Sequence, residues 1–308
     1  MYDVIIVGAG PAGSTLARFI GKKKKVLLID KRHYGLDEFS PRSPEINKSC
    51  GGLIAPDAQN VLARFNSGLP KKVLVGPQLF SVRAIDFDNH LEGYYQRHYL
   101  NINRQEFDYW LINEVDEKVE TVFQTVFHKI ESMNEDEITI SCFNDGKKVF
   151  YKTRFLVGAD GAGSRVRSCL KKSEKKQIKT YTTFQQWFET SQSLPYFCAL
   201  FDQEINDFYS WVIPKDNRVI LGSALLKEDQ IQEKMKSLKN KLEKKGFVFG
   251  SLIKEEGALL YRPKKSQILR GEKNIFLIGE AAGFISPSSA EGISYALISA
   301  YYLSCAIL

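Results

Sequence analysis

The sequence predicts an α/β protein in which a mixed, largely parallel sheet flanked by helices is joined to a smaller antiparallel-sheet domain. Three observations point there. The chain opens with an apolar strand, a glycine-rich turn and a helix, followed at once by a second apolar strand. Strand, glycine and acid, then helix recur at 155–170 and again at 274–300. Between these, the stretch 171–262 changes to strand-length apolar runs followed by one charged helix. The implied division is a discontinuous first domain of 1–170 and 263–308, with part of 70–103 assignable to the second domain, and a second domain of 171–262.

The opening unit carries the most specific chemistry. Val4 to Val7 form a continuous apolar strand, and Gly8, Gly10 and Gly13 follow with the spacing of a dinucleotide-binding turn, with Pro11 and Ala12 between them. Glycines there allow a tight turn, close approach of the backbone to a pyrophosphate, and close packing of helix on strand. The helix N-terminus then offers unpaired N–H groups to phosphate oxygens. A second strand, Val26 to Ile29, ends at Asp30, whose carboxylate can accept the hydroxyls of an adenosine ribose. The whole pattern within thirty residues defines a Rossmann-type unit. An acid at that strand end favours an unphosphorylated ribose, as in FAD or NAD; Lys31 and Arg32 follow so closely that NADP stays open on this unit alone.

Farther along, Pro56 to Phe65 and Asn103 to Val115 are expected as helices, the latter capped by Asn103. Val73 to Phe87, Val119 to Ile130 and Glu137 to Phe143 are expected as extended segments, with a hairpin turn at Asn144-Asp145-Gly146. In the second domain, strands are expected at 181–190, 197–201, 208–213 and 218–224, and a helix at 228–245.

Composition excludes several classes of function. Hydrophobic residues at 44% and charged residues at 26% are those of a globular chain. The net charge of +7 is spread over lysine clusters such as Lys22 to Lys25, Lys71-Lys72, Lys171-Lys172 with Lys175-Lys176, and Lys244-Lys245. No nucleic-acid motif accompanies them, so solvated faces are expected, with an anionic membrane surface as the alternative. Five widely spaced cysteines without a Cys-x-x-Cys pair argue against a disulfide framework or a metal site and fit a reducing cytoplasm. No signal peptide is expected, because the first residues already read as a folded strand. The apolar run from Ile293 to Leu308 is too short for a membrane span and is expected as a core helix. It ends without a cap or polar tail, which suggests a continuing chain.

Taken in order, four segments resemble the FAD-dependent oxidoreductases of the p-hydroxybenzoate hydroxylase fold, and within them most closely the geranylgeranyl reductase group. They are Gly8 to Gly13 with Asp30, Asn103 to Leu111, Gly158 to Arg167, and Gly279 to Ala296. Two further segments match the reductases: Lys48 to Leu53, like their cysteine-glycine loop, and Tyr209 to Lys215, like their aromatic-Trp-x-aliphatic-Pro stretch. The resemblance implies FAD as cofactor and NADPH or NADH as transient electron donor. It implies that Gly279 and Glu280 touch the ribityl chain and pyrophosphate, and that the Pro287 loop lies along the isoalloxazine. Glu291, Gly292 and Ile293 would begin a helix aimed at the pyrimidine edge, where a positive dipole end favours the reduced flavin. Glu280 departs from the family, which usually has aspartate there. Arg104 is expected as a phosphate or ribityl contact, Val126 as a strand residue beside adenine, and Asp160 and Gly161 as a further cofactor contact.

The same resemblance implies a reductase of carbon–carbon double bonds in an apolar, isoprenoid-like or lipid-like substrate, on a cytoplasmic protein that could sit peripherally at a membrane. Cys50 and Gly51 would lie near the flavin, Cys50 as proton donor, substrate contact or simply a small packed residue. Tyr209 and Trp211, with Trp187, Tyr196 and Phe197, would line an apolar tunnel or fill the core of the second sheet. An aromatic or polyketide monooxygenase and a flavin-binding protein without turnover are the alternatives. A halogenase is disfavoured, because that group places a tryptophan where Tyr209 stands. The four histidines are isolated, so the demanding chemistry belongs to the cofactor.

Overall fold

The computed structural model describes residues 1–34, 49–170, 178–226 and 230–308. Lys48, the lysines of 171–176 and the first residues of the expected 228–245 helix lie outside them. The chain begins with β1 (Tyr2–Val7), α1 (Pro11–Ile20) and β2 (Val26–Ile29), then β3 (Leu53–Ile54) and α2 (Pro56–Arg64). Next come β4 (Leu79–Asp86), β5 (Leu91–Asn101), α3 (Arg104–Asn113), β6 (Glu120–Val122) and β7 (Thr125–Met133). β8 (Ile138–Asn144), β9 (Lys147–Gly158) and the short α4 (Arg165–Ser168) follow. Then come β10 (Lys179–Glu189), β11 (Phe197–Phe201), β12 (Ser210–Lys215) and β13 (Arg218–Leu225). α5 (Ile231–Glu243), β14 (Leu252–Arg262), β15 (Gly271–Glu272), β16 (Ile275–Leu277) and α6 (Ile293–Ile307) complete the order.

Two compact units result: Met1–Asn47, Phe107–Lys179 and Tyr261–Leu308 form one, Lys48–Glu106 and Thr180–Leu260 the other. In the first, the sheet runs β15-β16-β9-β1-β2-β6, with β8 and β7 continuing from β9. β1 pairs in parallel with β2 and with β9, so its apolar run is covered on both faces. Successive residues serve opposite faces. Val4 and Ile6 join the α1 and α6 side chains Leu16, Ile20, Ala296 and Ala300. Ile5 and Val7 join Phe127, Ile140, Leu156 and Val166. β9 makes the sheet mixed: its first half is an antiparallel hairpin with β8, its second half is parallel to β1 and β16. That hairpin turns at Asp145 (φ 46°) and Gly146 (φ 73°), the two positive values that a tight hairpin turn requires.

Two extended segments differ from expectation. The 119–130 stretch divides at Gln124 (φ 53°): β6 stays parallel to β2, while β7 turns away to pair with β8. The 73–87 stretch starts with a 3-10 turn at Lys71–Val73 and becomes strand only at Leu79.

The second unit holds an eight-stranded sheet ordered β14-β10-β13-β12-β11-β4-β5-β3. β10 and β13, β13 and β12, β12 and β11, β4 and β5, and β5 and β3 pair antiparallel, whereas β11 and β4 run parallel. One face carries Cys198, Leu200, Val212, Val219 and Leu221 against Met235, Leu238 and Leu242 of α5. The expected division gave only part of 70–103 to this unit, whereas all of 48–106 belongs to it. Pairing of β4 with β11 across more than a hundred residues draws the segment in, and no local pattern announces such a partner.

Candidate functional site

In the first unit the glycine turn sorts its three glycines by what surrounds them. Gly8 has φ +107°, and a Cβ there would lie 2.4 Å from the Ala159 carbonyl oxygen. A Cβ on Gly13 would lie 1.8 Å from the Gly8 carbonyl oxygen. Packing within the unit therefore dictates both. Gly10 has ordinary extended backbone (φ −73°, ψ −174°), and its Cβ would meet only the end of Arg32, at 3.9 Å. Nothing among the described residues requires glycine at that position, so the open space there suits a ligand that approaches the backbone. α1 starts at that point with Pro11 at its first position, no side-chain cap and no acid in its first turn. Its positive end is thus left for an anion.

Asp30 ends β2 beside this turn. Its Oδ2 accepts the Ala9 N–H at 2.6 Å and Arg32 Nη2 at 3.1 Å; its Oδ1 accepts Arg32 N at 2.8 Å and Nε at 3.1 Å. Arg32 also reaches Asp108 Oδ2 at 3.0 Å and lies over the Tyr34 ring. Burial opposes the Arg32 charge, but Asp30 and Asp108 more than offset it and hold the guanidinium above its ordinary value. An arginine already neutralised by two carboxylates is a poor seat for a 2′-phosphate, so the pattern favours the plain ribose of FAD. Lys31 is exposed, and Val126 sits in β7 opposite Phe143.

The two later motifs meet in the same unit. Asp160 caps α4: its Oδ2 accepts Arg165 N at 2.8 Å and Val166 N at 3.3 Å, and its Oδ1 accepts the Ser164 hydroxyl at 2.5 Å. Burial raises its carboxyl above the ordinary value. Gly161 follows in the left-handed region (φ +78°). Arg167 donates from Nη1 to the Ala281 carbonyl (3.0 Å) and from Nη2 to that of Gln267 (2.8 Å), fastening the middle motif to the last one. Gly279, at φ +56°, is wedged between Ala12 and Ala296, its missing Cβ 3.1 Å from Ala12 Cβ. Glu280 Oε1 accepts the Tyr261 N–H at 3.3 Å. The exposed Pro287 gives its carbonyl to Arg262 Nε at 3.0 Å.

At the start of α6, Gly292 precedes the buried Ile293, and Glu291 Oε1 accepts the Ser294 N–H at 2.8 Å. The helix end expected to face the flavin thus carries a carboxylate of its own. α1 does not, and its bare end is the stronger anion seat of the two.

In the second unit, the Cys50 loop and the Tyr209–Lys215 strand come together although about 160 residues separate them. Lys215 Nζ donates to the Gly52 carbonyl (3.0 Å), to the Ile102 carbonyl (2.8 Å) and to Asn101 Oδ1 (2.5 Å). A Cβ on Gly51 would lie 2.4 Å from Ile213 Cδ1. Gly52, at φ +61°, would put a Cβ 2.4 Å from the Ile102 carbonyl oxygen and 2.7 Å from Lys215 Nζ. The Gly52 N–H donates to Cys50 Sγ at 3.4 Å. Tyr209 is half-buried and packs against the Phe208 and Trp211 rings. Trp211 lies flat on Gly222, where a Cβ would be 2.2 Å from Nε1. Arg104 is half-buried at the first turn of α3, whose cap is the expected one: Asn103 Oδ1 accepts Gln105 N and Glu106 N.

Sequence inspection passed over three residues here. Asp108, the second partner of Arg32, lay within a matched segment without drawing notice. Lys215 and Asn101 use neutral partners, so no charge pattern marks them; a lysine closing the largely apolar 211–214 run was the available signal. Among the described residues no three His, Cys, Asp or Glu side chains are grouped to hold a metal ion.

A mixed sheet with a glycine turn, an acid at the second strand end and a closing glycine-acid motif defines a nucleotide-dependent redox protein. The chain belongs to the FAD binding domain family, whose model matches residues 1–308, and it is an FAD-dependent oxidoreductase. Protein CbrA of Escherichia coli O9:H4 (strain HS) is 43% identical over 310 residues, covering all of this chain and 81% of the relative. Among solved structures, a geranylgeranyl bacteriochlorophyll reductase-like protein from Thermoplasma acidophilum superposes with a TM-score of 0.84 at 19% identity, over 99% of this chain and 77% of that one. A p-nitrophenol 4-monooxygenase from Pseudomonas putida gives 0.72 at 15% identity, over 100% and 79%. These two likenesses show the fold. Gly10 and the bare end of α1 fit the pyrophosphate of FAD, and Asp30 fits its ribose. No described helix is long and apolar enough to cross a membrane.

Proposed function

We propose that this oxidoreductase saturates carbon–carbon double bonds of an apolar, isoprenoid-like substrate, with electrons taken from NADPH or NADH. One observation carries the proposal: the two segments that resemble the reductases, remote in sequence, form a single feature in the second unit. Lys215 pins the Cys50-Gly51-Gly52 loop, and Gly51 rests on Ile213 of the strand that bears Tyr209 and Trp211. The reductase-like structural neighbour is in keeping with this. FAD supplies hydride transfer when bound. The chain's own residues bind and orient: Gly10 and α1 receive the pyrophosphate, Asp30 the ribose, and Tyr209 and Trp211 present aromatic surface to the substrate.

Peripheral attachment to an anionic membrane through clusters such as Lys22–Lys25 belongs to the same proposal, each lysine near the surface contributing about 1 kcal/mol.

The test is anaerobic: the purified yellow protein is reduced with NADPH or NADH, then given isoprenoid diphosphates or small aromatic acids. Reoxidation of the flavin with formation of a saturated isoprenoid is expected, as is co-sedimentation with anionic vesicles at low salt. If aromatic acids instead accelerate NADPH oxidation in air and emerge hydroxylated, while isoprenoids do neither, the monooxygenase function replaces this one.

A further inference from the structure

Lys215 is only 6% exposed, and among the described residues its Nζ hydrogen-bonds no carboxylate. Its three contacts are all acceptors: the carbonyls of Gly52 and Ile102 and the side-chain oxygen of Asn101. An ammonium has three N–H donors and no acceptor, whereas a neutral amine would turn a lone pair toward one of these oxygens. The arrangement is therefore built for the charged form. Asn101 is held for the purpose, its Nδ2 donating to Pro77 O at 3.0 Å and Pro214 O at 2.8 Å.

One residue links this charge to Cys50. Gly52 gives its carbonyl to Lys215 Nζ and its N–H to Cys50 Sγ. Its left-handed backbone is required there, because a side chain would strike both Lys215 and the Ile102 carbonyl. The titratable groups that face the pair are Asp216, which acts on Lys215 through space and accepts the Gly76 N–H at Oδ1, and Tyr209, which interacts through space with Cys50 and with Tyr99.

We propose that Lys215 is a positioning residue that fixes the Cys50-Gly51-Gly52 loop and, by its buried positive charge, stabilises the thiolate of Cys50. The proposal rests on the reductase function above and deepens it. Saturating a double bond needs a proton as well as a hydride. If the Cys50 S–H bond breaks as the new C–H bond forms, the sulfur keeps the electron pair, and the ammonium offsets that negative charge until solvent returns a proton. Burial lowers Lys215, the nearby thiol and Asp216 act in the opposite direction, and the net value is about 7.

The experiment measures iodoacetamide modification of Cys50, by mass spectrometry of its peptide, from pH 5.5 to 9.5 in the FAD-loaded protein. Lys215→Gln keeps hydrogen-bond donors without charge, and Lys215→Met keeps neither. Both are expected to slow Cys50 modification about tenfold at pH 6.5 and to move its midpoint upward. A Lys215→Gln protein with bound flavin and a wild-type profile would overturn the proposal. Should neither variant fold, the native protein decides alone: a Cys50 midpoint below that of the same thiol in urea supports the proposal, and one at or above it overturns it. No substrate enters this measurement, so failure of the reductase function would show only in the product assay.

Discussion

Gly10 and Gly13 stand three residues apart and answer to different constraints. A side chain at Gly13 meets the Gly8 carbonyl oxygen at 1.8 Å, whereas one at Gly10 meets open space. Gly13→Ala is therefore expected to destabilise the protein by about 3 kcal/mol, seen as a lower urea midpoint, with flavin lost as a consequence. Gly10→Val should keep a melting temperature close to that of the wild-type apoprotein and fail to retain FAD on gel filtration. Retention of FAD by Gly10→Val with unchanged affinity would show that the pyrophosphate lies elsewhere. Both glycines were visible in the sequence as members of one motif. Their separation into a packing residue and a ligand residue was not, because it depends on where the folded turn brings the Gly8 carbonyl and the Arg32 side chain.

Elements were legible where their cause is local. β1, α1 and β2 follow from an apolar run, three glycines and a second apolar run, and α3 starts where Asn103 offers its cap. The β8–β9 hairpin turns on Asp145-Gly146 as expected. The assignment of β4 and β5 was hidden, since β4 is placed by Phe197–Phe201 rather than by its neighbours. Lys215 was hidden for a similar reason: its partners are mostly main-chain carbonyls, which every residue possesses. Asp160, expected at the cofactor, is seen to organise α4, a helix of one turn that depends on its cap. Asp160→Ala should cost about 1 kcal/mol, measured as a shift in the urea midpoint at constant slope. In the second unit, Gly222→Ala would drive a methyl group into the Trp211 indole. A shifted tryptophan emission spectrum is expected, with loss of about 2 kcal/mol; an unchanged spectrum would mean that the ring does not rest there.

At the scale of the whole molecule, burying Lys215 makes stability depend on pH. Its folded value of about 7 lies below that of an unfolded lysine, near 10.4, so between these limits the unfolded chain binds more protons. This group therefore makes stability rise with pH from about 7 to 10, while below 7 its burial cost is fully present. Lys215→Met removes that slope, and the stability of the variant relative to wild type should fall steadily over this range in urea melts at pH 6, 8 and 9.5. A constant difference would place Lys215 at an ordinary value. The packing of the first unit has a consequence of another kind. Val4 and Ile6 complete their core only with Ala296 and Ala300, made almost three hundred residues later, and Gly279 closes on Ala12. During synthesis on the ribosome the second unit's strands β10 to β13 have all emerged while the opening strand still lacks half its cover. FAD loading is therefore expected only after α6 has left the exit tunnel, and until then the nascent β1 depends on whatever shields apolar chains in the cell.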